Sequence, residues 1–266
     1  MKQILAFLLL VFLTTSIIEA QDSKTNNHVD ENGLKQGFWE KHYSNGTLQY
    51  SGNFVNDKPI GKLKRYNNAG VLKAEMIYIK NSNKVYSWFF YPNKEIHSKG
   101  IYKNKLKDSV WNYYSMDGVK INKVNYKLDK KDGSEKKFYK NGNISEISEW
   151  SNGINNGLTI RYYESGKVMS RLYYSDGILN GEYNIFNSNE SIKIQGKYKN
   201  NKREGKWIYY KDNGHIESEI NYTNGIADNQ EELDRLERNQ LEELENNKGK
   251  IKDPSETMYN AIPPNM

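Results

Sequence analysis

A step of 24 residues runs through most of this chain. Counted from a Gly-led start, units begin at Gly37, Gly61, Tyr86, Ser109, Gly133, Gly157, Gly181 and Gly205, at intervals of 24, 25, 23, 24, 24, 24 and 24. Eight units therefore extend from Gly37 to about Asp228. A fixed period of this size marks stacked supersecondary units, none of which can bury its apolar side alone. It makes the chain an extended surface before anything else.

Each unit repeats the same columns. An aromatic or His stands at the sixth position: His42, Tyr66, Tyr91, Tyr114, Phe138, Tyr162, Phe186 and Tyr210. Gly recurs near the tenth, with Glu190 in its place in the seventh unit and one residue dropped in the third. Two residues later comes an aliphatic, broken only by Lys120. Position eighteen is aromatic in all eight units: Phe54, Tyr78, Tyr102, Tyr126, Trp150, Tyr174, Tyr198 and Tyr222. A second turn follows, as in Asn152-Gly153, Asp176-Gly177 and Asn224-Gly225.

These columns read as two strands and two turns per unit. The run Gly205–Tyr210 is short and aromatic and is bounded by Asn213-Gly214. Asn-Gly between such runs predicts a hairpin with a type I′ turn, whose central residues both need positive φ. In the last unit Ile216, Ser218, Ile220 and Tyr222 alternate with Glu217, Glu219, Asn221 and Thr223, the pattern of a strand buried on one face. No unit offers a helix-length run free of turn signals. The expected fold is all-β: an open, twisted, single-layer antiparallel sheet of about eight 24-residue hairpins, followed by a C-terminal helix. Sixteen strands at about 4.8 Å each make a sheet on the order of 75 Å long. The aromatics at positions six and eighteen are expected in its packed layer, as cross-strand neighbours.

The runs Gly205-Lys-Trp-Ile-Tyr-Tyr-Lys-Asp-Asn-Gly214 and Gly37-Phe-Trp-Glu-Lys-His-Tyr-Ser-Asn-Gly46 fit a G-x-W-x-x-Y-Y-x-N-G shape, and Gly196–Gly205 fits the second half. These residues resemble the MORN repeat (membrane occupation and recognition nexus) in its bacterial variant form, over about 192 residues. The resemblance implies the hairpin sheet described above. It also implies membrane attachment, lipid-head binding or protein scaffolding, as in eukaryotic members. Many bacterial members are filed as antitoxins, which implies an antitoxin-like, neutralising role as a further alternative.

Outside the repeats the composition changes. Lys2, the apolar run Ile4–Leu13 and Ala20-Gln21 form the pattern of a cleaved signal peptide over residues 1–20, so the protein is expected to be exported: periplasmic, outer-surface or secreted. Residues 21–36 read as a polar linker and 37–228 as the repeat domain. Across 229–247, Leu233, Leu236, Leu241 and Leu244 share one helical face among Glu and Arg, predicting an amphipathic helix that caps the last hairpin or binds a partner. Residues 248–266 hold three of the five prolines and read as a disordered tail.

The chain has no Cys, and its four histidines (His28, His42, His97 and His215) lie apart from one another. No metal-ligand spacing, nucleophile motif or cofactor motif is present, so no enzyme, metal or cofactor is expected. The formal charge is +6; segment 229–247 carries two basic and seven acidic residues, a contribution of −5, which leaves +11 on the rest. Lysines spread over a sheet also keep it soluble and guard it against edge pairing. The leading expectation is an exported, non-catalytic scaffold for a protein partner. Peripheral binding to an anionic membrane surface or a cell-surface glycan is the alternative, and no nucleic acid partner is expected. Trp39, Trp88, Trp111 and Trp207 share the third position, opposite in strand parity to the sixth. They are the expected exposed aromatic row and the possible partner-binding surface.

Overall fold

The computed structural model describes residues 26–246. The strands are β1 (His28–Val29), β2 (Lys35–His42), β3 (Leu48–Val55), β4 (Lys58–Tyr66), β5 (Leu72–Tyr78), β6 (Lys84–Phe90), β7 (Ile96–Lys103), β8 (Leu106–Tyr114) and β9 (Lys120–Lys127). They continue with β10 (Lys130–Phe138), β11 (Ile144–Ser151), β12 (Ile154–Tyr162), β13 (Val168–Ser175), β14 (Ile178–Phe186), β15 (Ile192–Lys199), β16 (Lys202–Tyr210), β17 (Ile216–Thr223) and β18 (Ile226–Ala227), followed by the helix α1 (Gln230–Asn246). Each strand pairs antiparallel with the next, so the chain lays down one open meander. The sixteen expected strands are β2–β17, and β1 and β18 are two-residue strands at the ends. The segments read as signal peptide and tail lie outside the described residues. Within the stretch read as linker, His28 and Val29 pair with Gln36 and Lys35.

The register is stricter than the sequence suggests. Position one faces position eighteen in every unit: Gly37 with Phe54, Gly61 with Tyr78, Val85 with Tyr102, Ser109 with Tyr126, and so on to Gly205 with Tyr222. The third unit therefore starts at Val85, one residue before Tyr86, and no unit departs from 24. Its tenth position is not dropped but is filled by Lys94, which takes φ 73° where six units have Gly, just as Glu190 takes φ 72°.

Position one carries a bulge. Gly37, Gly61, Ser109, Gly133, Gly157, Gly181 and Gly205 all have positive φ there, and the β3–β4 pairing slips between Gly52 and Asn53. A β-branched residue resists that conformation. At Val85 the bulge is accordingly absent, and β5 and β6 pair without a slip. The residues saved lengthen the loop instead: Tyr78 and Val85 pair across six intervening residues, where Phe54 and Pro59 pair across four.

The two turns of each unit differ in type. The type I′ geometry expected at Asn213-Gly214 belongs to the second turn. Asn56-Asp57, Asn104-Lys105, Leu128-Asp129, Asn152-Gly153, Asp176-Gly177, Asn200-Asn201 and Asn224-Gly225 have positive φ at both residues. In the first turn only the tenth residue is left-handed, as at Gly214 (φ 82°). Its N–H donates to Lys211 O at 2.9 Å, and the Asn213 side chain accepts the His215 N–H at 3.1 Å.

Neighbouring units are also stitched by side chains. The Tyr43, Tyr91, Tyr139 and Tyr163 hydroxyls donate to the carbonyls of Tyr66, Tyr114, Tyr162 and Phe186 at 2.8, 3.0, 2.6 and 2.7 Å. At the C-terminal end α1 follows β18 directly, with the Gln230 side chain accepting the Ala227 N–H at 3.3 Å. Glu231 and Glu232 occupy its first turn, where acidic charge complements the helix dipole. Leu241 is 54% exposed. The side chains of Leu233, Leu236 and Leu244, on which the capping reading turns, lie outside the described ones.

Candidate interaction face

The sheet buries one face and opens the other. The packed face is built from positions three, sixteen and eighteen. Trp111 and Trp207, at position three, are each 1% exposed. Their indoles lie flat on glycines of the preceding strand. A Cβ on Gly100 would stand 2.3 Å from Trp111 Cδ2, and one on Gly196 the same distance from Trp207 Cδ2. The ring nitrogens donate to Ile101 O (3.1 Å) and Lys197 O (3.2 Å). Position-eighteen tyrosines meet these rings edge-on, Tyr102 at 4.9 Å from Trp111 and Tyr198 at 5.1 Å from Trp207.

A cation closes each tryptophan cluster. Lys107 Nζ stands 4.8 Å from the Trp111 ring centre and Arg203 Cζ 4.8 Å from that of Trp207. Lys35 takes the same place 5.0 Å from Trp39, which is half-buried and donates from Nε1 to His28 O and Gln36 O. These cations also donate to tyrosine hydroxyls: Lys107 to Tyr113 at 2.9 Å, Lys35 to Tyr50 at 2.7 Å and Arg203 to Tyr222 at 2.7 Å.

The expected exposed row of four tryptophans is thus corrected. Trp39, Trp111 and Trp207 belong to the packed face: Gly100 and Gly196 give the indoles of Trp111 and Trp207 room to lie against the sheet, and Trp39 shares the Lys35 cation with Tyr50 and Phe54. Trp88 stands at the fourth position once the third unit is counted from Val85, and it points to the other face. The third-position residue of that unit is Ser87, buried with its Oγ unpaired. The packed layer is also not made of positions six and eighteen together. Position eighteen shares the packed face with position three. On the open face Lys99 and Arg171 stand 5.6 Å from the position-six rings of Tyr114 and Phe186.

Around Trp88 the open face has a distinct character. A single cross-strand row runs Glu75, Trp88, Lys99, Asn112, Lys123, Lys136 over β5 to β10. Lys123 and Lys136 are direct cross-strand partners, a like-charge pair that costs stability. Glu75 is paired with Lys62 at 3.0 Å. Among the described residues none of Lys99, Lys123 and Lys136 is in an ion pair. The next row carries apolar groups: Ile77 faces Tyr86, and Tyr86 faces Ile101. Tyr86 is 41% exposed, and Val110 beside it is also exposed. Between the rows lies a shallow cavity of about 180 Å³, walled by Tyr86, Trp88, Lys99, Ile101, Val110 and Asn112. Sequence reading missed the lysine row because Lys99 and Lys123 stand at position fifteen and Lys136 at position four, and the two columns meet only through the register.

Among the described residues no cluster of His, Asp or Glu could hold a metal ion, and no helix is long and apolar enough to cross a membrane. The family model described as the MORN repeat variant matches residues 131–152, 155–176 and 203–224. These segments fall on the hairpins β10–β11, β12–β13 and β16–β17. No curated protein matches the chain. A solved structure of the Tc holotoxin pore of Photorhabdus luminescens is similar at 11% identity and a TM-score of 0.19, over 70% of this chain. The chain spans 13% of that structure's chain.

Proposed function

This is a MORN-repeat protein, and we propose that it is an exported, non-catalytic scaffold that holds an acidic protein partner on the open face between β6 and β10. The observation that carries this reading is the lysine row. Lys99, Lys123 and Lys136 share one cross-strand row, with Asn112 between the first two, and among the described residues none is in an ion pair, next to the exposed Tyr86 and Val110. A protein that keeps two lysines in direct cross-strand contact tolerates a local cost, and an anionic partner would remove it. Exposed aromatic groups are enriched at the centres of protein interfaces, and charged groups at the rim steer an oppositely charged partner. The signal-like segment at residues 1–20 supports export. It argues against the antitoxin-like role, since an exported chain does not meet a cytoplasmic toxin.

The test is a Lys99→Glu/Lys123→Glu/Lys136→Glu variant. Pull-downs from the envelope and secreted fractions are run beside the wild type. The wild type should retain a stoichiometric acidic partner and the variant should lose it. Equal retention by both would overturn the reading. Salt-sensitive co-sedimentation of the wild type with phosphatidylserine vesicles, without any protein partner, would instead favour the alternative of an anionic membrane surface.

A further inference from the structure

The cation seats of the packed face are not all filled. In the β15–β17 region the seat is lined by Tyr198, Tyr222 and Gly225, with Arg203 in it. Moving five units back, 120 residues, gives Tyr78, Tyr102 and Lys105. Here too there is a cavity, of about 280 Å³, lined by Met76, Tyr78, Val85, Tyr102 and Lys105. The residue that would supply the cation is Asn83. It lies in the loop before β6, because the missing bulge at Val85 takes that position off the strand. The tryptophan that would floor the seat is Ser87. This unit alone has lost both its cation and its bulge, and it keeps an open aromatic pocket in their place.

The chemistry of the walls selects the guest. Met76, Val85 and the two tyrosine rings offer apolar and aromatic contact. A volume of about 280 Å³ suits a single ring and is too small for a large cofactor. A guest cation would meet Lys105 in the lining. Beyond the lining, Arg65 acts by charge on Tyr78 and Lys107 on Tyr102, the latter partly opposed by Asp129. A carboxylate is favoured at the same place.

We infer that this pocket takes one aromatic side chain, carried beside an acidic residue by a protein partner. The inference rests on the scaffold reading for its protein guest, but it concerns the opposite face of the sheet. The two therefore fail separately: the lysine-row variant tests one, and variants of the pocket test the other.

The experiment follows the Met76 methyl resonance of the full chain during titration with the blocked tripeptide Glu-Trp-Glu. A saturable shift is expected, severalfold weaker with Lys-Trp-Lys and absent with Glu-Ala-Glu. Val85→Trp, which places a ring in the pocket covalently, should abolish it. Lys105→Glu, in an exposed turn, should reverse the order of the two Trp tripeptides. No saturable shift, an equal shift with Glu-Ala-Glu, or unchanged binding in folded Val85→Trp would overturn the inference, as would an unchanged order in Lys105→Glu. Binding of N-acetyl-tryptophan as tight as that of Glu-Trp-Glu would make the guest a small aromatic acid and overturn the protein anchor.

Discussion

The Trp207 indole lies flat on Gly196, with its Nε1 donating to the carbonyl of the next residue, Lys197, at 3.2 Å. The same contact joins Trp111 to Gly100. It explains why a glycine sits mid-strand, where it weakens a sheet unless another group needs the space. Gly196 is outside the positive-φ glycines, so its substitution is a steric matter alone.

Gly196→Ala should therefore destabilise the protein by about 1–3 kcal/mol through overpacking against a ring that cannot retreat. Gly46→Ala is the contrasting case. Nothing stands within 4 Å of its Cβ, but its φ is 83°, and the cost of about 1 kcal/mol is backbone strain. Urea unfolding of both variants checks the order. Trp207 fluorescence should redden only in Gly196→Ala.

The comparison of sequence with structure turns on such pairs. The 24-residue step, the hairpins and the position-eighteen column are written locally, in turn residues and aromatics, and they were legible. Which face the tryptophans occupy was not. Parity puts positions three and six on opposite faces but does not say which is buried; at Trp111 and Trp207 the opposing Gly100 and Gly196 give the indole its room on the packed face. Trp88 misled in a second way, since aligning it with Trp39 shifted the third unit by one residue. The lysine row was legible only in part: Lys99 and Lys123 share position fifteen of neighbouring units, but Lys136 stands at position four of the next unit. They become neighbours only through the register of β7 to β10.

Glu135 occupies the column that holds Trp111 and Trp207, and it is 2% exposed. Lys131 Nζ lies 2.6 Å from one carboxylate oxygen, and Asn122 Nδ2 donates to the other at 2.7 Å. Removing one partner leaves a buried charge unpaired. Lys131→Ala should cost about 2–4 kcal/mol, the upper range being tempered by the partial exposure of the ammonium. Lys131→Leu/Glu135→Leu together should restore most of that loss. Thermal unfolding of the two variants decides it; a double variant no more stable than Lys131→Ala would contradict the account.

Lys94 and Glu190 hold the tenth position with φ of 73° and 72°, where Gly46, Gly70, Gly118, Gly142, Gly166 and Gly214 stand in the other units. A side chain in that region carries about 1–2 kcal/mol of strain, partly offset by the extra chain entropy a glycine must lose on folding. Lys94→Gly and Glu190→Gly should each stabilise by about 0.5–1 kcal/mol. The two should add, since the sites lie four units apart. Denaturant midpoints of the single and double variants measure this.

Glu146 sits between two cations on the packed face, 2.8 Å from Lys137 Nζ and 2.9 Å from Arg161 Nε. Burial pushes its carboxyl up, but the hydrogen bonds and charges of Lys137 and Arg161 more than offset this, and the group ends below the usual glutamate value of 4.5. A carboxyl depressed in the folded state favours folding wherever it is ionised in the unfolded chain. Its contribution is complete above pH 4.5 and falls away as the pH drops through the lower folded value. Glu146→Gln removes that dependence. The wild type should lose stability on acidification below pH 4.5 more steeply than the variant, and the gap between their melting temperatures at pH 7 should narrow toward pH 3. A gap that stays constant over this range would show that the carboxylate makes no net ion-pair contribution to folding.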